Sequence, residues 1–121
     1  MPAIEELLRQ YSEHAKAHYE FLLKADHEQA NWNYDELMAL LEELAKPEYS
    51  GGTALLRLLD VEDPTVRLAA ASHCLNIDEP RSLGVLRKLA KSKGLNGFRA
   101  ELVLEEWKKG NLRIPFLRRE E

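Results

Sequence analysis

Two stretches of this chain overlay at an offset of 32 residues, and that repeat constrains the fold more than any other feature. Val66-Arg67-Leu68 falls on Phe98-Arg99-Ala100, Ala70 on Leu102, Ala71 on Val103 and Leu75 on Trp107. Leu83, Leu86 and Leu89 recur at three-residue steps between the two copies and supply the opposite helix of a hairpin. A period of about 30 residues with two helices per unit is the signature of stacked helical hairpins. A single hairpin cannot bury its own apolar stripe, so a neighbouring hairpin has to cover it. The small side chains of Ala69, Ala70 and Ala71 let that neighbour come close.

The rest of the chain reads as helix with clear punctuation. A first helix over 3–24 carries Ile4, Leu7, Leu8, Tyr11, Ala15, His18 and Leu22 at three- and four-residue steps. Asp26, with Gln29 three residues on, caps a second helix over 27–45, whose stripe is Ala30, Tyr34, Leu37, Leu41 and Leu44. Pro47 and Ser50-Gly51-Gly52 end it. A short third helix over 53–59 shows Leu55, Leu58 and Leu59 on its apolar side. Asp63 as N-cap and Pro64 at the first helical position start a fourth helix that continues to residue 76. Asp78 and Pro80 repeat that signal for a fifth helix ending before Gly94, a C-cap glycine. A sixth covers 96–109 and stops at Gly110. No segment alternates with period two for long enough to make a strand.

Asp63-Pro64-Thr65-Val66-Arg67-Leu68-Ala69-Ala70 resembles the Asp-Pro-x-Val-Arg-x-x-Ala core of HEAT repeats, in the short form also seen in phycobilin-lyase-like proteins. Gly97-Phe98-Arg99-Ala100-Glu101, followed by Leu104-Glu105-Glu106-Trp107-Lys108-Lys109-Gly110, is similar to the end of a family of short bacterial proteins of unknown function. That second likeness runs from Asp26 to about Leu112. The resemblance implies that Asp63, Arg67 and Arg99 are structural, bonding to backbone and to each other along stacked helices. At Asn96-Gly97 the second copy has no Asp-Pro, so Arg99 would be a terminal version of the motif.

Composition narrows the function classes. The chain has 121 residues, 45% hydrophobic and 31% charged, which suits one globular domain. No apolar run approaches the roughly 20 residues of a membrane span, and the acidic Met-Pro-Ala-Ile-Glu-Glu start is unlike a secretory signal. The single cysteine, Cys74, excludes an internal disulfide and fits a reducing, cytoplasmic setting. The net charge of −4 argues against a general nucleic-acid binder. It divides into −7 over residues 1–60 and +3 over 61–121.

Four groups of side chains invite a chemical reading. His14 and His18 share a helix face at four-residue spacing, yet a metal site needs a third protein ligand, so no metal is expected. Cys74 follows His73 directly, and neighbours on a helix diverge by about 100°, so the two do not form a thiolate–imidazole pair. Asp35-Glu36, Glu42-Glu43 and Glu105-Glu106 are adjacent acids, which point apart on a helix. Arg87-Lys88, Lys91 and Lys93 form a basic stretch on the fifth helix that reads as a solvated face or as a site for an anionic partner. Trp107 aligns with Leu75 and is expected in the core; Trp32 lies off its helix's stripe and is either a contact anchor or packing on the first helix.

These readings converge on an all-α fold, a short right-handed α-α superhelix of about six helices. They give one domain over 1–112 and an extended or partly disordered tail over 113–121. The expected function is that of a non-catalytic protein-interaction module of a bacterial cytoplasmic protein, in one version toxin-neutralising. Alternatives are a glycosylase-like nucleic-acid enzyme on a HEAT scaffold and a lyase-like chromophore handler. No catalytic residue and no cofactor is expected; the partner is another protein, not nucleic acid or membrane. Resemblance to HEAT repeats places a concave binding face on the fourth and sixth helices, with Thr65, Ser72, His73, Glu101, Glu105 and Lys108 exposed on it, and Trp32 as a further candidate contact.

Overall fold

The computed structural model describes residues 2–118, and those residues form helices with no strand among them. The elements are α1 (Ile4–Leu23), α2 (His27–Leu44), a 3-10 stretch (Pro47–Asp60), α3 (Pro64–His73), a 3-10 turn (Cys74–Asn76), α4 (Glu79–Ala90) and α5 (Leu95–Lys109). Two compact units divide the chain, Met1–Ala54 and Leu55–Glu121.

In the first unit α1 and α2 pack on each other as a hairpin. Their junction is built from backbone chemistry. Ala25 takes a left-handed φ of 57° and donates its N–H to Leu22 O, while Asp26 N–H reaches Phe21 O at 2.9 Å. Those two bonds satisfy carbonyls that the end of α1 would leave unpaired. The Asp26 carboxylate then accepts from Gln29 N–H at 3.1 Å and starts α2, as its spacing predicts. Leu7, Leu8, Tyr11 and Ala15 from α1 meet Ala30, Leu37, Leu41 and Leu44 from α2 in the core. Tyr49 is also buried, and its hydroxyl donates to Pro2 O at 2.7 Å, so the 3-10 stretch ties back to the start of the chain. Ser50, Gly51 and Gly52 are all left-handed, with φ of 63°, 63° and 91°. The expected third helix over 53–59 is therefore 3-10, not α, and belongs to a run entered through that left-handed kink.

In the second unit α3, α4 and α5 pack together around Leu68, Ala70, Ala71, Leu75, Leu86, Leu89 and Ala100. Burying each leucine contributes roughly 2 kcal/mol. The Asp63 carboxylate caps α3, accepting from Thr65 N–H at 2.8 Å and Val66 N–H at 3.3 Å. Asp78 does the same for α4 through Arg81 N–H at 3.2 Å. The fourth helix ends earlier than its pattern predicts, with residues 74–76 tightening into the 3-10 turn. Gly94, expected as the C-cap of the fifth helix, instead holds the N-cap position of α5 at φ 91°, because α4 already ends at Ala90 with Lys91 as its C-cap; Gly97 lies in the first turn of α5 against the backbone of Ser92. Gly110, at φ 76°, is the left-handed C-cap of α5.

The described part of the tail, 113–118, is non-helical, bends at Pro115–Phe116 and is packed. Ile114 and Leu117 are buried, and Asn76 Nδ2 donates to Leu117 O at 2.8 Å. Residues 119–121, which the sequence also assigns to the tail, lie outside the described residues.

Candidate functional site

His14 and His18 act as structural fasteners of the first hairpin. Asn33 Nδ2 donates to Gln29 O, which leaves Asn33 Oδ1 as an acceptor; His14 Nδ1, 2.9 Å away, must carry the proton. His18 Nδ1 likewise donates to Ala30 O at 2.9 Å. Trp32 meets His14 edge-on at 5.6 Å, and Tyr34 leans on His18 at 5.6 Å. Trp32 is nevertheless 55% exposed, so it is both braced by α1 and open to a partner. Among the described residues no three His, Cys, Asp or Glu side chains converge as a metal site would need.

Cys74 is buried, and burial pushes its thiol up to about 12, which keeps it protonated and poorly nucleophilic. His73 is half-buried, and burial lowers its pKa to about 4, so it stays neutral near pH 7. The paired acids are engaged separately: Glu43 with Lys46 at 2.7 Å, and Glu105 with Lys109 at 2.9 Å, which lowers the Glu105 pKa.

The residues expected on a concave face separate into three sets by burial. Thr65 is not exposed, which corrects the sequence reading: it is buried, and its hydroxyl accepts from Asn96 Nδ2 at 3.0 Å. Ser72 and His73 are half-buried, with Ser72 Oγ donating to Leu68 O at 2.7 Å. Glu101, Glu105 and Lys108 are exposed on α5. Arg67 donates through Nη1 to Val61 O and Glu62 O, both at 2.8 Å, so it braces the turn before α3 instead of facing Asp63. Arg99 is half-buried on α5. Trp107, expected in the core, is only half-buried, with its indole N–H donating to Glu79 Oε2 at 3.1 Å.

Sequence reasoning missed what stands uncovered. Phe98 and Leu102, one turn apart on α5, are 57% and 43% exposed. Their counterparts in the repeat, Val66 and Ala70, are 3% and 0% exposed. The signal was present in the alignment, but an apolar stripe does not say whether anything covers it.

Two clefts open on the second unit. The larger, about 1060 Å³, runs beside the tail and is lined by residues including Glu79, Trp107, Arg113, Phe116 and Arg118. Phe116 there is 47% exposed on a left-handed backbone, φ 66°. The smaller, about 470 Å³, lies between the 3-10 stretch and α4 and is lined by Leu59, Asp60, Arg67, Arg81, Gly84, Val85, Lys88 and Leu89. Apart from Arg67 and Lys88, the latter part of the basic stretch read as a possible anion site, neither cleft includes a residue singled out from sequence as a site. Among the described residues no helix is long and apolar enough to cross a membrane. Comparison of the chain with protein-family models, curated proteins and solved structures finds no match.

Proposed function

We propose that this chain is a non-catalytic protein-interaction module of HEAT-like superhelical type, working in the bacterial cytoplasm, with the outer face of α5 as a contact surface. One observation carries the reading. Phe98 and Leu102 are exposed at the positions where the preceding copy of the repeat, Val66 and Ala70, is buried. In stacked hairpins each stripe is covered by the next layer, so the α5 stripe is an uncovered layer end. Large apolar side chains grouped on a surface mark contact sites more often than chance exposure does. Glu101, Glu105 and Lys108 are exposed along one flank of the pair and supply charge of the kind found at an interface rim.

A toxin-neutralising role is the concrete version of this reading, since such a protein works by occupying its target and needs no reactive group. The test is capture from a native lysate on immobilised chain, wild type beside a Phe98→Asp/Leu102→Asp variant. Both side chains are exposed, so the variant keeps the wild-type melting temperature. The wild type should retain one protein stoichiometrically and the variant should lose it. Equal retention by both, or none by the wild type, refutes the reading.

A further inference from the structure

We propose that the smaller cleft of the second unit binds an acidic amphipathic helix of a partner protein, seated over Gly84. The inference rests on the interaction-module reading but concerns a different surface from α5. Arg81, Gly84, Val85 and Lys88 follow one another at three-, one- and three-residue steps on α4, so they share one side of the helix. Arg81 and Lys88 are two turns apart, about 10 Å along the axis. Between them Gly84 removes the side chain that would fill the gap: a Cβ added there meets nothing within 4 Å. Beneath the opening lie Leu59 and Leu89, both buried, and half-buried Val85. Arg67 enters from α3 with one guanidinium nitrogen fixed on the carbonyls of Val61 and Glu62, leaving its other N–H groups to face a ligand. The result is a groove floored mainly by Val85, since Leu59 and Leu89 are only 2% and 3% exposed, with three cations and the Asp60 carboxylate on its walls.

The resident acid identifies what the groove takes. Asp60 Oδ2 sits 3.2 Å from Arg81 Nη2, and the Asp60 side chain is 80% exposed. An ion pair so open to water is weak and exchangeable, so a partner carboxylate can take its place. Lys88 makes no ion pair among the described residues. The second unit as a whole holds 13 Lys+Arg against 10 Asp+Glu, although the chain is net acidic. A helix carrying two acids seven residues apart matches the spacing of Arg81 and Lys88, and its apolar side meets the floor. Grooves of this form recognise helices through apolar anchors, with flanking charge setting specificity.

The probe is a 15-residue Ala-rich helical peptide with two Glu seven positions apart and a Leu between them, titrated into the full ¹⁵N-labelled chain. The expected result is saturable amide shifts at Gly84, Val85, Lys88 and Asp60, weakening as salt is raised. Arg81→Glu/Lys88→Glu should reduce affinity by about tenfold or more, with an unchanged melting temperature showing that the variant folds. Asp60→Asn should tighten binding. Phe98→Asp/Leu102→Asp should leave this titration unaltered, so failure here and failure of the α5 reading are distinguishable. A peptide with Gln in place of both Glu should not bind. The proposal is overturned by shifts that map elsewhere, by affinity indifferent to Arg81→Glu/Lys88→Glu, or by a 12-base-pair DNA duplex displacing the peptide from the same amides. It is equally overturned if those amides shift with protein concentration alone, which would make the acidic unit of a second copy the occupant.

Discussion

Gly97→Ala and Gly84→Ala are the same substitution on neighbouring helices of the second unit, and they should have opposite signs. At Gly97 a Cβ would lie 2.9 Å from the carbonyl carbon of Ser92, closer still to its oxygen, and 3.4 Å from Leu89 O. Atoms in contact normally rest about 3.5–4.0 Å apart, so the backbone of the α4–α5 connection has to move by more than an ångström to clear the Ser92 oxygen. The atoms in the way are main chain, with no flexible side chain to swing aside. That connection also holds the Ser92 N–H bond to Leu89 O at 2.9 Å, which a shift would stretch. Overpacking of this kind costs about 1–3 kcal/mol, and a weakened hydrogen bond adds about 1 kcal/mol. The better helix propensity of alanine returns at most about 1 kcal/mol. The net expectation is a loss of about 2 kcal/mol, or a fall of roughly 10 °C in melting temperature. At Gly84, inside α4 and with open space around the added methyl, only the propensity gain remains, about 0.5–1 kcal/mol of stabilisation. Urea unfolding followed by circular dichroism, with m compared across the variants, gives both values. A Gly97→Ala midpoint equal to the wild type's, or a Gly84→Ala loss of similar size to that at Gly97, refutes the packing described for the start of α5.

Ala25 holds a left-handed φ of 57° between α1 and α2, so Ala25→Gly should stabilise by about 1 kcal/mol, read as a higher urea midpoint. Asp63→Ala should cost about 1 kcal/mol through loss of the α3 cap, while Asp63→Asn keeps most of it; equal losses in both would mean that charge, not hydrogen bonding, does the capping. His73 binds its proton less readily in the folded chain, at about pH 4 against a usual value near 6.5. Below pH 6.5 the unfolded chain therefore takes up a proton that the folded one refuses, and stability falls as pH drops toward 4, by up to about 3 kcal/mol. His73→Gln should flatten that part of the stability–pH curve and leave it unchanged above pH 7.

What could be read in the sequence was local. Asp26 with Gln29, Asp63-Pro64 and Asp78-Pro80 announce helix starts because a cap is made by neighbours two or three residues away. Thr65 misled for the opposite reason. Its burial depends on Asn96, 31 residues distant, which satisfies the hydroxyl and removes the need for water. The 3-10 stretch was hidden because three consecutive left-handed residues, one of them Ser50, depend on a turn geometry that the Ser-Gly-Gly triplet permits without dictating. His14 and His18 were visible as a pair, but their use as donors to Asn33 and Ala30 needed the crossing of α1 over α2. The cleft on α4 showed only as a basic stretch; the space above Gly84 depends on how Leu59 and Asp60 lie beside it.

The chain holds two tryptophans, and they fall one to each unit, Trp32 on α2 and Trp107 on α5. Each half therefore carries its own fluorophore. Trp32, largely open to water, should emit at long wavelength and be quenched by iodide. Trp107 is half-buried, its indole held by the Glu79 carboxylate beside the packed tail, and should emit further to the blue with weaker quenching. Trp32→Phe leaves a chain whose emission reports the second unit alone, and Trp107→Phe reports the first. Unfolding curves from the two variants follow each unit separately, and coincident midpoints identify a single cooperative transition.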